Sequence, residues 1–259
     1  MAKIHGSWRG SIDIFANNKF SFKGEIPKGV SLEENAKYGE KTRHDSWTKT
    51  GALLDFMNLV KSGGKMDYKR LDEEALKNKT PSKYEDFGNY NYGVVARAMR
   101  IDENFAKACA GAYQATQIMQ RALKNKEKTF ASLSEADRKK YEPYFEEALK
   151  IEKNINLSTS KSLLRHFINK SMEIGNKTGN YGYFDDPKDQ EFITQGYKDA
   201  KKLGYGNEFE PIEFKDMAYA NGKIGDLLFS QNKKPHLNNN TELQSKNLTN
   251  QNEIDLLKI

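Results

Sequence analysis

The densest cluster of side chains able to ionise, stack or hydrogen-bond is Tyr84-Glu85-Asp86-Phe87-Gly88-Asn89-Tyr90-Asn91-Tyr92-Gly93. Its glycines permit unusual backbone angles, so it reads as a functional loop ahead of a helix-prone run, Val94 to Met99. Glycan cleavage suits such a segment. That reaction needs one carboxylic acid held protonated near the scissile oxygen, often a second carboxylate, and tyrosines and amides to hold sugars. Glu85 and Asp86 are the acids available for it here. Two plainer readings stand beside it: a turn whose asparagines cap the next helix, and a protein-binding surface with no chemistry.

The elements that must position this segment are helical. Ser31-Leu32-Glu33-Glu34 is a capping box that opens a helix toward Lys41. Leu53, Leu54, Met57 and Val60 recur at helical spacing before Gly63-Gly64, which can supply a left-handed cap. Asp102 opens the longest proline-free stretch, to about Leu123. Ser134 opens another helix toward Ile155, with Pro143 as a kink. Ser158 to Ile174 forms a helix stopping at Gly175, and a last helix runs from Pro187 to Leu203. Ile12 to Phe22 alternates around Asn17-Asn18 as a short peripheral hairpin. The expectation is a mainly α single domain with a hairpin segment over 1–27, a helical domain over 28–230 and an irregular, flexible tail over 231–259.

Composition bounds the rest. The 259 residues carry 42 Lys plus Arg against 36 Asp plus Glu, a net charge of +6, which favours polyanions mildly without any block of five cations. No long apolar run predicts a membrane span, and the N-terminus lacks the apolar stretch of a Sec signal. The single cysteine, Cys109, excludes an intrachain disulfide and reads as a buried structural thiol.

Glu85 to Gly93 followed by Ala96 and Ala98, together with Ala110-Gly111-Ala112-Tyr113-Gln114, resembles the core of the bacterial polymorphic toxin type 44 family. The order of surrounding motifs is similar: Leu32-Glu33-Glu34-Asn35-Ala36, then Phe56, Gly63-Gly64 and Met66-Asp67-Tyr68-Lys69, and finally Asp185-Asp186-Pro187-Lys188-Asp189-Gln190. Met66 stands where the family carries Trp, and the stretch from about Gln120 to Ile174 reads as a helical insertion. The resemblance implies an all-helical effector toxin that attacks RNA in a competing cell. It also implies export through a secretion apparatus or carrier protein without a Sec signal, and a cognate immunity protein as partner.

For metal-free RNA cleavage on this pattern, Asp67 or Asp86 is the base, Lys69 the cation, and His44 or Tyr92 the proton donor. With a divalent metal, Asp185, Asp186 and Asp189 converge with Asp67 or Asp86 on the ion. Asp186 before Pro187 is equally a helix cap, and His5, His166 and His236 offer no pair with His44. Asn89, Tyr90, Asn91 and Gln190 complete the site as substrate-binding groups. Peptidoglycan hydrolysis in the periplasm is the rival activity.

Overall fold

A computed structural model describes residues 19–78, 80–154 and 159–220. The α-helices in chain order are α1 (Leu32–Asp45), α2 (Lys49–Val60), α3 (Glu73–Asn78), α4 (Glu85–Ala98), α5 (Glu103–Lys124), α6 (Lys126–Ala131), α7 (Glu135–Tyr141), α8 (Phe145–Asn154), α9 (Thr159–Thr178) and α10 (Pro187–Lys202). Short 3-10 helices span Tyr68–Leu71, Glu142–Tyr144 and Phe214–Ala220. The described residues contain no β-strand, only an isolated bridge between Ile101 and Ile212. The fold is therefore mainly α. Most of the expected hairpin, the tail over 231–259, His5 and His236 lie outside the described residues.

Local sequence signals set most helix ends. Ser31 accepts from the Glu34 N–H at 3.3 Å, and its hydroxyl donates to Glu33. Asp102 accepts from Phe105 N–H and Ser134 from Asp137 N–H. Pro143 sits in the 3-10 turn between α7 and α8, which is the expected kink. Gly175 does not stop α9, which continues to Thr178; a Cβ there would lie 2.2 Å from the Tyr181 ring, so this glycine makes room for an aromatic side chain.

The larger departure is the Tyr84–Gly93 segment. It is the first part of α4 rather than a loop. Helix interiors disfavour glycine by about 1 kcal/mol relative to alanine, and a close approach offsets that cost. A Cβ on Gly93 would lie 2.0 Å from the Ile193 carbonyl oxygen, and one on Gly196 would lie 2.0 Å from the Tyr90 oxygen. Thus α4 and α10 cross backbone against backbone, with no side chain between them. Tyr90, Val94 and Ala98 of α4 are fully buried around this crossing, as are Phe56 of α2 and Phe105 of α5.

Residues 19–22, the described end of the expected hairpin, are not a loose periphery. Phe22 packs its ring against Phe87, Tyr90 and Phe192, spanning both crossed helices. On the far side, α9 packs along α5, and Tyr141, Tyr144 and Phe167 surround Phe184. The segment read as an insertion therefore supports the turn that leads into α10.

Replacing Gly93 or Gly196 by alanine is expected to destabilise the protein by about 3 kcal/mol, because the new methyl meets backbone that cannot move aside. Gly88→Ala is expected near neutral, since its Cβ would sit 3.4 Å from Lys69 Cγ in ordinary contact. Urea midpoints of the three variants check this ranking.

Candidate active site

A cleft of about 740 Å³ opens between α5, the start of α4 and the Met66–Arg70 segment. Its walls bring together Asp67, Lys69, Asn89, Tyr92, Asp185 and Asp189 from the three sequence motifs. Glu85 lines it as well, and its carboxylate pairs with Lys69 Nζ at 3.2 Å.

Each acid is placed by a specific backbone feature. Asp185 ends the turn in which its N–H donates to the Gly182 carbonyl oxygen at 2.9 Å. The α5 helix accommodates this turn at Gly111, where a Cβ would lie 3.1 Å from the Asp185 nitrogen. Lys140 donates to the Asp185 carbonyl oxygen at 3.0 Å, and Tyr141 donates to that of Phe184. Asp185 is 6% exposed, and its carboxylate accepts from Gln190 Nε2 at 2.5 Å. Asp189 lies one helical turn further on and accepts from Asn89 Nδ2 at 2.5 Å. The Asn89 contact exists because α4 and α10 are locked together a turn away, at Gly93.

The electrostatics of these two acids set them apart. Burial pushes Asp185 up to about 6, against the lowering effects of the Gln190 bond and Lys69. Burial likewise raises Asp189 to about 6; Lys69 opposes the rise, while Asp185 and Glu85 add to it. Two carboxyls raised to about 6 thus face an ion-paired carboxylate and a lysine in one cleft. Such an arrangement can donate a proton and stabilise a developing positive centre in the same step.

Other expected site residues do different work. Asp86 does not line the cleft; it pairs with Lys188 at 2.8 Å on the outer face. Asp186 is the N-cap of α10, accepting from the Lys188 N–H, and is turned away from the cleft. Asn91 is buried between α1 and α4, where it accepts from Asn35 Nδ2 at 2.8 Å, so it cannot reach substrate. Tyr90 is also fully buried and donates to Asp199 at 2.5 Å. Gln190 acts on Asp185 rather than on a ligand. Tyr92 does border the cleft, but its hydroxyl donates to the Ala106 carbonyl oxygen at 2.9 Å and burial drives its phenol well above the usual range. A proton so held makes a poor donor to substrate. Asp67 lines the cleft yet accepts from Gly63 N–H at 2.7 Å and pairs with Arg70 at 3.6 Å, locking the turn before Lys69.

The expected histidines contribute nothing to the cleft: His44 lies beside Asp45 and His166 beside Glu147. Among the described residues, no group of three or more His, Cys, Asp or Glu side chains is placed to hold a metal ion, so the convergence of four aspartates on a cation does not occur. Cys109 is buried and its thiol is pushed up to about 12, as a structural cysteine requires.

Sequence reading overlooked the α5 wall. Gln114, Gln117 and Arg121 follow one another at three- and four-residue spacing and all line the cleft. That polar stripe on an otherwise alanine-rich helix was the available signal. No protein-family model, curated protein or solved structure matches the chain. No helix among the described residues is long and apolar enough to cross a membrane.

Asp185 supplies a direct test. Its raised value means that the folded state holds the proton more tightly than the unfolded chain. Stability is therefore full below about pH 4, falls as pH rises from about 4 to about 6, and stays at the lower level above that, where the group is ionised in both states. Asp185→Asn, which can still accept from Gln190, is expected to stabilise the protein at pH 8 by on the order of 2 kcal/mol and to have little effect at pH 4. Thermal melts at the two pH values check the sign.

Proposed function

We propose that this chain is a glycan-cleaving hydrolase acting as an antibacterial effector, with Asp189 as the proton donor and Glu85 as the partner carboxylate. The observation that carries this reading is the meeting, in one cleft, of a carboxyl raised to about 6 with a second one ion-paired to Lys69. Protonated Asp189 delivers its proton to the leaving glycosidic oxygen. Glu85 supplies the negative charge that the oxocarbenium-like centre requires, and a water molecule then adds to that centre and gives up a proton to Asp189, restoring the acid. Asn89 orients Asp189, and the burial of Asp189 itself, aided by the like charge of Asp185, favours its protonated form. Gln114, Gln117 and Tyr113 give the walls the amide and aromatic character that sugars favour.

The toxin role rests on the resemblance of the three motifs to the polymorphic toxin type 44 pattern, which brings with it export to a competing cell and a cognate immunity protein. Peptidoglycan is then the glycan, and the periplasm the place of action.

RNA cleavage is the second reading. Lys69 beside both raised acids and the overall charge of +6 favour it. Against it, the cleft lining carries five acids (Asp67, Glu85, Asp137, Asp185, Asp189) and four cations (Lys61, Lys69, Arg70, Arg121), a balance that gives a phosphate backbone little attraction.

Production in the periplasm is expected to lyse cells, whereas retention in the cytosol is expected to be harmless. Cytosolic arrest with RNA breakdown would reverse the order of the two readings. Asp189→Asn and Glu85→Gln are each expected to lower release of reducing ends from purified sacculi by about 10²- to 10⁴-fold without unfolding the protein. Because Asp189 must be protonated to act, the rate is expected to fall as pH rises through about 6. A rate that climbs through that range would assign Asp189 the role of base instead.

A further inference from the structure

The α5 wall has a direction. The Asp185 turn meets α5 at Gly111, and from there Gln114, Gln117 and Arg121 advance along the cleft on one face of the helix. At 1.5 Å per residue, Arg121 stands about 15 Å beyond Gly111. That distance exceeds what a single small substrate held at Asp189 would span. The facing wall, from Tyr68 through Arg70 to Leu76 and Pro81, continues the groove alongside.

Arg121 is the charged end of this stripe. It is exposed and its charge acts on the phenol of Tyr141, but among the described residues no hydrogen bond or ion pair engages its guanidinium. Asp137, an acid on the same lining, has partners of its own: Ser134 donates to it at 2.7 Å and Lys140 pairs with it at 3.6 Å. The last turn of α5 also holds Lys124, so the helix end has a second cation to complement its dipole. The raised acids Asp185 and Asp189 therefore sit at one end of the groove and the exposed guanidinium of Arg121 at the other, with amides between them.

Building on the hydrolase reading, we propose that the groove binds a linear, carboxylate-bearing glycan polymer and that Arg121 forms a distal subsite for one of its carboxylates. A guanidinium suits that role because its planar fork matches a carboxylate with two parallel hydrogen bonds. Gln117 and Gln114 hold the hydroxyl and amide groups of the sugars between this anchor and Asp189. The anchor fixes the register of the chain, so the bond presented to Asp189 is chosen partly by a group several ångströms away from it.

Binding is measured by titration calorimetry on the Asp189→Asn protein, which holds a glycan without cleaving it. The probes are soluble, peptide-free peptidoglycan strands that carry lactyl carboxylates, the same strands after conversion of those carboxylates to amides, and a single-stranded RNA oligonucleotide. The carboxylate strands are expected to bind about tenfold or more tightly than the amidated ones, and Arg121→Gln in the same background is expected to erase the difference. Gln117→Ala is expected to weaken both strands alike. Equal binding of the two strands, or a preference that survives Arg121→Gln, would overturn the subsite while leaving the hydrolase reading to the activity of the wild-type protein on sacculi. Failure to bind either strand, or Arg121-dependent binding of RNA alone, would overturn the subsite too. If wild-type protein also released nothing from sacculi, the hydrolase reading would fall with it.

Discussion

Two helices that touch through glycine hold this molecule in shape. The Gly93–Gly196 crossing brings the α4 and α10 backbones closer than any side chain would allow, and the surrounding structure is built on that closeness. With α4 and α10 fixed at one point, residues a turn away on each helix are fixed as well. Asn89 on α4 then reaches Asp189 on α10. The hydrogen bond is a result of the crossing, and the position of the acid follows from both. Phe22 seals the same pair of helices from outside with contacts to Phe87 and Phe192.

A second support comes from the opposite side. Phe184 sits among Tyr141, Tyr144 and Phe167, and Lys140 and Tyr141 hold the carbonyls of Asp185 and Phe184. This arrangement presses Asp185 into the protein, where desolvation makes its charge costly. Burial of one acid then affects its neighbour, because Asp189 must ionise beside it. The chemistry of the cleft thus depends on aromatic packing well behind the acids, in helices that contribute few groups to the cleft themselves.

Much of the frame was legible in the sequence. Ser31, Asp102, Ser134 and Asp186 each cap the helix that local chemistry assigns to them, and Pro143 interrupts where a missing N–H must. The site was legible in outline, since three separated motifs do border one cleft. What could not be read was the direction of each side chain. Tyr90 and Asn91 look like ligand-binding groups beside Asn89, yet a helix turns 100° per residue, so only part of the segment faces the cleft. Reading the segment as a loop conceals this, because its glycines suggest a freed backbone, whereas Gly93 thins a helix for its neighbour. Burial was equally hidden: Asp185 and Asp186 are adjacent in sequence, and only the aromatic cluster under Phe184 determines which one loses water.

The α5 helix shows how such a molecule can change. One of its faces is committed to packing, with Ala108, Ala112, Ala115 and Met119 all fully buried against the rest of the protein. The other presents Gln114, Gln117 and Arg121 to the groove with little behind them. Substitutions on that open face leave both the glycine crossing and the aromatic support of the acids untouched. In the proposed hydrolase, bond-breaking and ligand choice are therefore carried by separate parts of the chain, and descendants of this sequence could acquire new targets by rewriting a few exposed turns while keeping the same acids.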